Sequence, residues 1–333
     1  MIKNKFSWLV IIFITSLLGF SIIGPVHADN NVQFSVVPEL PENQSQKDQS
    51  YFDLRMAPDQ KQTIYVDIKN TAQTESQFKI RINQAYTNHA GFIDYGQSKQ
   101  GVDASFPYQL AEIVHAPKTI KVAGQNSARI PIEIKMPAKE YAGQILAGIQ
   151  VLKMNEGQKD GINNEFGYIV GLKLTENDQP VTRQLELIKV KPAVSFAKTS
   201  VVAQIRNPTM DAIGHLKYQA KVIDRHSGKT VRQVKYDKNM QMAPNSTYNF
   251  AIDWAGKDLR AGKYLLDLKV QDAKDNHWHF KKNFVITAKD AKNVNRAVVG
   301  QAPMPLWIWI VGGLVLLVVC WVIYWWAKKR QQR

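Results

Sequence analysis

Cysteine is nearly missing from this 333-residue chain: Cys320 stands alone. No intrachain disulfide can form, so a small disulfide-stapled module is excluded and any folded part must rest on its hydrophobic core. Long amphipathic helical patterning is missing before the C-terminal apolar run, which argues against a helical bundle. No G-x-S-x-G element occurs, and so no strand–turn–helix serine nucleophile is signalled. Histidines are few and scattered. His277-Trp278-His279 comes nearest to a metal site, because residues i and i+2 share one face of a strand. Two imidazoles fall short of the three protein ligands that zinc requires. They read as solvent-side residues with Trp278 turned inward, and His115 and His215 stand alone. Carboxylate pairs about 5–10 Å apart would serve glycan hydrolysis, but 28 acidic residues always allow some such pair. The sequence calls for no metal and no cofactor. "NST" at 245–247 has the form of a glycosylation sequon and carries no further weight.

The two ends hold what the middle lacks. Lys3 and Lys5 precede an apolar run that ends in Gly24-Pro25 and the small-residue site Val26-His27-Ala28. That is the three-part pattern of a secretory signal peptide over residues 1–28, with an uncleaved signal anchor as the alternative. The stretch "LWIWIVGGLVLLVVCWVIYWWA" at 306–327 has no charge, and about 20 such residues span a bilayer core. Its tryptophans and Tyr324 cluster at the two ends, as interfacial rings do. Lys328, Lys329, Arg330 and Arg333 follow, which by the positive-inside bias puts residues 328–333 in the cytoplasm. The expectation is a single-pass type I protein of the cell membrane. Its ectodomain faces outward, which leaves nucleic acid a poor partner.

Charge is unevenly divided. Residues 29–159 hold 14 basic and 14 acidic side chains, whereas residues 160–305 hold 23 basic against 14 acidic. A cationic membrane-proximal half suits anionic wall polymers, lipid headgroups or acidic host glycans. A solvated surface with a mild lysine excess is the plain alternative.

Period-two alternation runs through both halves. Ile64, Val66 and Ile68 alternate with polar neighbours, as do Phe78, Ile80 and Ile82, and Ile130, Ile132, Ile134 and Met136. Pro131 has no ladder N–H, so its strand is expected at an edge. Further on, Leu216, Tyr218, Ala220 and Val222 alternate, then Tyr248 to Trp254, Tyr264 to Val270, and Trp278, Phe280, Phe284 and Ile286. Short alternating strands between Gly, Pro, Asn and Asp turns predict an all-β ectodomain. The expected fold is two tandem immunoglobulin-like β-sandwiches, 29–154 and 166–288, followed by one transmembrane α-helix. The polar stretch 155–165 reads as the linker between them, and 289–305 as a tether to the membrane.

One stretch, "INQAYTNHAGFIDYG" at 82–96, gathers polar and aromatic residues around two glycines. The strand at 78–82 and a return at Phe92–Tyr95 predict a hairpin whose turn is 88–91, with Gly91 where a positive φ is tolerated. A loop able to contact sugar or peptide is the functional reading, since tyrosine offers a flat apolar face and a hydroxyl.

"PENQSQKDQSYFDLRMAPDQKQTIYVDIKN", "AYTNHAGFIDY" and "MPAKEYAGQILAGIQV", in that order, resemble the N-terminal domain of the Gram-positive WxL-interacting proteins. "FGYIVGLKL", "QMAPNSTYNFAIDW", "LRAGKYLLDLKV" and "WHFKKNFVIT" resemble their C-terminal domain. The resemblance implies a peptidoglycan-binding first domain, a second domain that binds host proteins, and secreted WxL-domain partners. It also implies that Tyr86, Thr87, Asn88, Gly91 and Tyr95 belong to a family motif and are candidate ligand-binding residues. Asp59 departs from the pattern, because glycine usually follows that proline. The same bend is expected, on a costlier backbone.

These readings converge on a membrane-anchored surface scaffold or adhesin, not an enzyme. A cell-wall-processing enzyme or accessory factor is the alternative. A signalling receptor ranks below both, because the cytoplasmic stub has no room for an output domain. Gly312-Gly313 does not follow the G-x-x-x-G dimer spacing.

Overall fold

The structure is a computed structural model that describes residues 32–96, 103–154, 166–298 and 306–331. The expected signal peptide, the stretch 155–165 and the last part of the expected tether, 299–305, lie outside the described residues.

The first unit packs two sheets around one core. One sheet runs in the order β1 (Phe34–Glu39), β3 (Lys61–Asn70), β9 (Ser127–Lys135) and β7 (Val114–His115). The other runs β2 (Phe52–Arg55), β11 (Gly167–Thr175), β10 (Ile145–Lys153), β4 (Ser76–Gln84) and β8 (Thr119–Val122). Alternation decides which side chains meet. Ile64, Val66, Ile68, Ile130, Ile132 and Ile134 of the first sheet are buried against Phe78, Ile80, Ile149 and Leu172 of the second. Truncating one of these isoleucines to alanine removes about 2–5 kcal/mol. The strand of Pro131 is not the edge strand expected: β9 lies between β3 and β7, and the proline is tolerated because β7 pairs only with Glu133 and Ile134 and stops short of it.

Strand β11 corrects the expected domain boundary. Residues 166–175 are expected in the second sandwich. Instead, β11 pairs with β10 from Ile145↔Leu174 to Leu152↔Gly167, and parallel with β2. Residues 155–165 therefore connect two neighbouring strands of one sheet and do not join the two sandwiches. The physical reason is visible in the side chains. Val170, Leu172 and Leu174 are all buried in the first core, which would lose them if the strand left. The true crossing is 176–185, with Glu176 accepting from Tyr141 N–H at 2.8 Å and Leu185 buried in the second core.

The second unit repeats the plan. One sheet is β12 (Glu186–Ser195), β13 (Lys198–Asn207) and β16 (Ser246–Asp253). The facing sheet is β15 (Thr230–Met242), β14 (Ile213–Asp224), β17 (Gly262–Gln271) and β18 (His277–Ile286). Tyr218 and Phe250 stack between the sheets at 4.6 Å between ring centroids. Every alternating residue expected to point inward on β14, β16 and β17 does so. In each unit a wholly buried asparagine closes a strand. Asn70 donates to the carbonyls of Thr74 and Val122, and Asn207 to those of Asp211 and Ala243. Their amides replace ladder bonds that the chain gives up on leaving the sheet.

The expected tether is also corrected in its first part. Ala288–Ala297 is a helix, capped by the Thr287 hydroxyl, which accepts from Asp290 N–H. Ala291 is buried in the second core, and Asn295 bonds both the N–H and the carbonyl of Leu259. Its amphipathic face holds it to the sandwich. A second helix, Leu306–Gln331, contains the apolar window Trp309–Trp326, none of it covered by protein. At about 1.5 Å per residue its 26 residues exceed a bilayer core of about 30 Å.

Candidate functional site

The stretch 82–96 folds as the hairpin expected from its sequence. β5 (Tyr86–Thr87) pairs with β6 (Ile93–Asp94), as Tyr86↔Asp94 and Thr87↔Ile93. Asn88 builds the turn: its side-chain oxygen accepts from Ala90 N–H at 3.0 Å and Phe92 N–H at 3.1 Å. Gly91 has φ +81°, a left-handed value that a residue with a Cβ resists.

The structure splits the five candidate residues between two tasks. Thr87 and Gly91 face the second sandwich. The Thr87 hydroxyl lies 2.7 Å from Ser246 Oγ and accepts from Ala243 N–H at 3.0 Å. Gly91 O accepts from Gln241 N–H at 2.7 Å, and a Cβ on Gly91 would fall 2.4 Å from Met240 Cε. Asn245 adds donations to Ser105 O and Oγ, and Thr247 donates to Asp103 at 2.8 Å. The hairpin tip is thus a bracket between the two units.

Tyr95 and Asp94 look the other way, onto the outer face of the five-stranded sheet. The return strand is pinned there by Asn83, which donates to Tyr95 O at 2.7 Å and to Gln150 at 3.0 Å. Beside it runs a trough of about 460 Å³ lined by Tyr51, Asp94, Tyr95, Ile169, Gly171 and Lys173 among others. Gly171 lines it, and Gly148 lies under Tyr95. Gly148 and Gly171 are direct cross-strand partners. A Cβ on Gly148 would lie 2.5 Å from Tyr95 Cβ, and one on Gly171 would lie 3.3 Å from Tyr51 Cβ. Two tyrosines therefore lie close over neighbouring bare backbone, a close approach that larger residues would prevent. Neither glycine is among the site residues expected from the sequence. The signal was a glycine at the centre of each of two alternating runs.

The trough is polar at its edges. Lys173 Nζ sits 3.1 Å from buried Asp53. Burial works against ionisation of Asp94. Donations from the Gly96 N–H, Asn88, the Tyr95 N–H and Tyr86 outweigh it and hold the carboxyl below its usual range. Burial, then the charge of Asp94, pushes the Tyr86 hydroxyl up to about 12, so it stays a donor to that carboxylate. Burial likewise raises Tyr95. The arrangement offers flat aromatic faces, hydroxyl donors, one fixed anion and one cation. It suits a sugar ring bearing polar substituents.

A second cleft of about 350 Å³ opens at the junction, between His89 and Phe92 of the hairpin and Phe196, Tyr236 and Tyr248 of the second unit. Phe196 and Ala197 form the β12–β13 turn with φ +50° and +55°, and the Phe196 side chain is 62% exposed. His277 and His279 share the outer face of β18, with Nε2 atoms 2.9 Å from Asp275 and Asp267 respectively.

Among solved structures, the chain is similar to the CsuC–CsuE chaperone–tip adhesion subunit complex from the archaic chaperone-usher Csu pili of Acinetobacter baumannii. Identity is 11%, coverage 74% of this chain and 97% of that one, and the TM-score 0.32. It is also similar to the Pseudomonas aeruginosa CupB2 chaperone, at 15% identity, 68% and 96% coverage and TM-score 0.27. No curated protein matches the chain. Residues 34–153 match the peptidoglycan binding domain of the WxL Interacting Protein, and residues 157–296 match its host binding domain. The family division falls just after β10, whereas strand pairing carries the first unit on through β11. With both domains present in order over more than half its length, the chain belongs to the WxL Interacting Protein family.

Proposed function

We propose that this protein is a non-enzymatic, membrane-anchored binding protein of the cell surface, and that its first unit holds peptidoglycan in the Tyr51–Tyr95 trough. The observation that supports this most directly is the trough walled by Tyr51 and Tyr95, with Gly148 letting Tyr95 lie close to the sheet and Gly171 lining the trough beside Tyr51. In this reading a glycan ring lies against Tyr51 and Tyr95, and Lys173 and Asp94 engage its polar substituents. Thr87 and Gly91 act indirectly, by fixing the hairpin that carries Tyr95. The apolar helix Leu306–Gln331 anchors the protein as a single-pass type I chain with the two units outside. Phe92 and Phe196 at the junction cleft supply apolar anchors for a secreted WxL protein or a host protein.

The test is retention of the full chain, in nanodiscs, on purified insoluble peptidoglycan. Tyr51→Ala, which leaves the Lys173–Asp53 pair intact, is expected to lower retention at least about tenfold. Equal retention of parent and variant rejects the trough. Release of labelled fragments from peptidoglycan by the pure protein, abolished by a single Asp or Glu substitution, would instead establish the wall-processing reading.

A further inference from the structure

Part of the excess of positive charge in the second half of the chain lies on one sheet face. The outer face of the β15–β14–β17–β18 sheet is a lattice set by strand register. One row across the strands reads Lys235, Gln219, Lys269, His279, and the next reads Gln233, Lys221, Asp267, Lys281. A third holds Lys217, Gln271 and His277. All five lysines of these rows are exposed. Lys217 is paired with Asp237 at 3.1 Å, and Asp267 is turned to His279. Among the described residues, Lys221, Lys235, Lys269 and Lys281 have no carboxylate within ion-pairing distance.

What this face lacks matters as much. Trp278 and Phe280 of β18 point toward the core, so the three rows hold no aromatic platform on which a sugar ring could stack. Apolar side chains of the face lie at one end only, at Ile223, Leu265 and Val285, so the centre has nothing to insert into a bilayer. Strands lie about 4.8 Å apart and same-face residues about 7 Å apart, which places the unpaired ammonium groups roughly 8–10 Å from one another. The glutamines between them add amide donors. Repeating single negative charges on a flexible, ring-poor chain match such a surface. No single contact needs to be strong, because linked charges bind by effective concentration.

We propose that this sheet face docks a phosphodiester-linked anionic polyol polymer. The site is separate from the Tyr51–Tyr95 trough and does not depend on it. Lys221, Lys235, Lys269 and Lys281 supply the charge, and Gln219 and Gln233 hydrogen-bond phosphate oxygens or hydroxyls, whereas Gln271 already donates to Asp275.

The experiment measures binding of the full chain, in nanodiscs of zwitterionic lipid, to immobilised poly(glycerol phosphate). Binding is expected at about 0.1 M NaCl and should be lost near 1 M, where the screening length falls from about 10 Å to about 3 Å. The variant K221Q/K235Q/K269Q/K281Q is expected to bind at least about tenfold more weakly, since each exposed pairing contributes modestly and the four add. The control K69Q/K79Q/K118Q/K135Q removes the same charge from the first unit and is expected to bind as the parent does. Equal losses in the two variants overturn the proposal, as does undiminished binding by the face variant. Tighter binding to hyaluronate, or to vesicles containing phosphatidylglycerol, also overturns it in favour of a carboxylate glycan or a lipid surface. Retention on peptidoglycan by the face variant should stay at the parent level, which separates this site from the trough.

Discussion

The hydroxyl of Thr87 lies 2.7 Å from that of Ser246, although 159 residues separate them. Both are buried, and the pair sits in a seam that also joins Gly91 to Gln241 and Ser105 to Asn245. Two units that each have their own core are thus fastened by hydrogen bonds between a hairpin of one and the β15–β16 turn of the other.

Replacing Thr87 by valine tests the seam. The shape is kept, but Ala243 N–H loses its acceptor, while the Ser246 hydroxyl keeps its bond to Ala243 O. An orphaned buried donor costs about 1–3 kcal/mol. Thermal unfolding of the full chain should show the loss, with faster proteolysis within 176–185 as the units separate. An unchanged melting curve would mean that the seam contributes little.

Asp59 offers a gain of stability. The turn Ala57–Gln60 closes with Gln60 N–H donating to Ala57 O at 3.1 Å, and Asp59 holds φ +57°. Proline at the second position and a positive φ at the third define a type II turn, in which glycine is favoured. The aspartate's ion pair with Lys135 is 3.8 Å long and exposed, so it contributes little. Asp59→Gly is expected to raise stability by about 0.5–1 kcal/mol and Asp59→Ala to lower it. Chemical denaturation of the three proteins checks both signs.

Asp59 also shows what the sequence could reveal. Its bend is expected from the family resemblance, in which glycine usually follows that proline, and Asp59 does hold the positive φ of such a bend. Alternation likewise revealed the strands of both cores, because burial of one face imposes a period of two wherever the strand lies. Pairing was not legible. The run Val170, Leu172, Leu174 would suit either sandwich equally well, and only the register with β10 assigns it to the first. The polar stretch before it looked like an interdomain linker for the same reason that any strand connection does. Half of the candidate site was readable and half was not. Tyr95 stood out as an aromatic in a turn-rich stretch. Tyr51 and the two glycines lay on other strands, brought together by contacts that sequence spacing does not encode. Thr87 and Gly91 lie at the contact between the two units.

Arg183 is expected to be the most sensitive position in the crossing segment. Its guanidinium donates to Asp211 and Asp272, each at 2.7 Å, and to Ala212 O at 3.1 Å. The Asp272 side chain is fully buried. Arg183→Met would leave that carboxylate without its cation at a cost of about 3–5 kcal/mol. Arg183→Lys should recover only part, because one ammonium cannot reproduce the fork. A fall in melting temperature in the order parent, Lys, Met is the expected result. A Met variant as stable as the parent would mean that the pair is dispensable.

Acid should loosen the junction before it unfolds the cores. Burial opposes ionisation of Asp103, but the Ser105 N–H and hydroxyl, then Thr247 and Arg206, hold its pKa below the usual carboxylate range. The folded protein therefore binds fewer protons at this site than the unfolded chain, and stability rises with pH. The contribution is complete above the unfolded value of about 3.9 and disappears as pH falls through the folded value. Asp94 and Asp272 act in the same direction. Asp67 and Glu176 oppose them, because burial raises both, and their contribution grows as pH falls. They lie within or beside the first unit, away from the Asp103–Thr247 contact, so a substitution at Asp103 isolates the junction. Asp103→Asn is expected to be less stable than the parent at pH 6, with the difference closing below about pH 4. Melting curves of the two proteins from neutral to strongly acidic pH measure that difference directly. A gap that stays constant across the range would show that the Asp103 charge takes no part in holding the two units together.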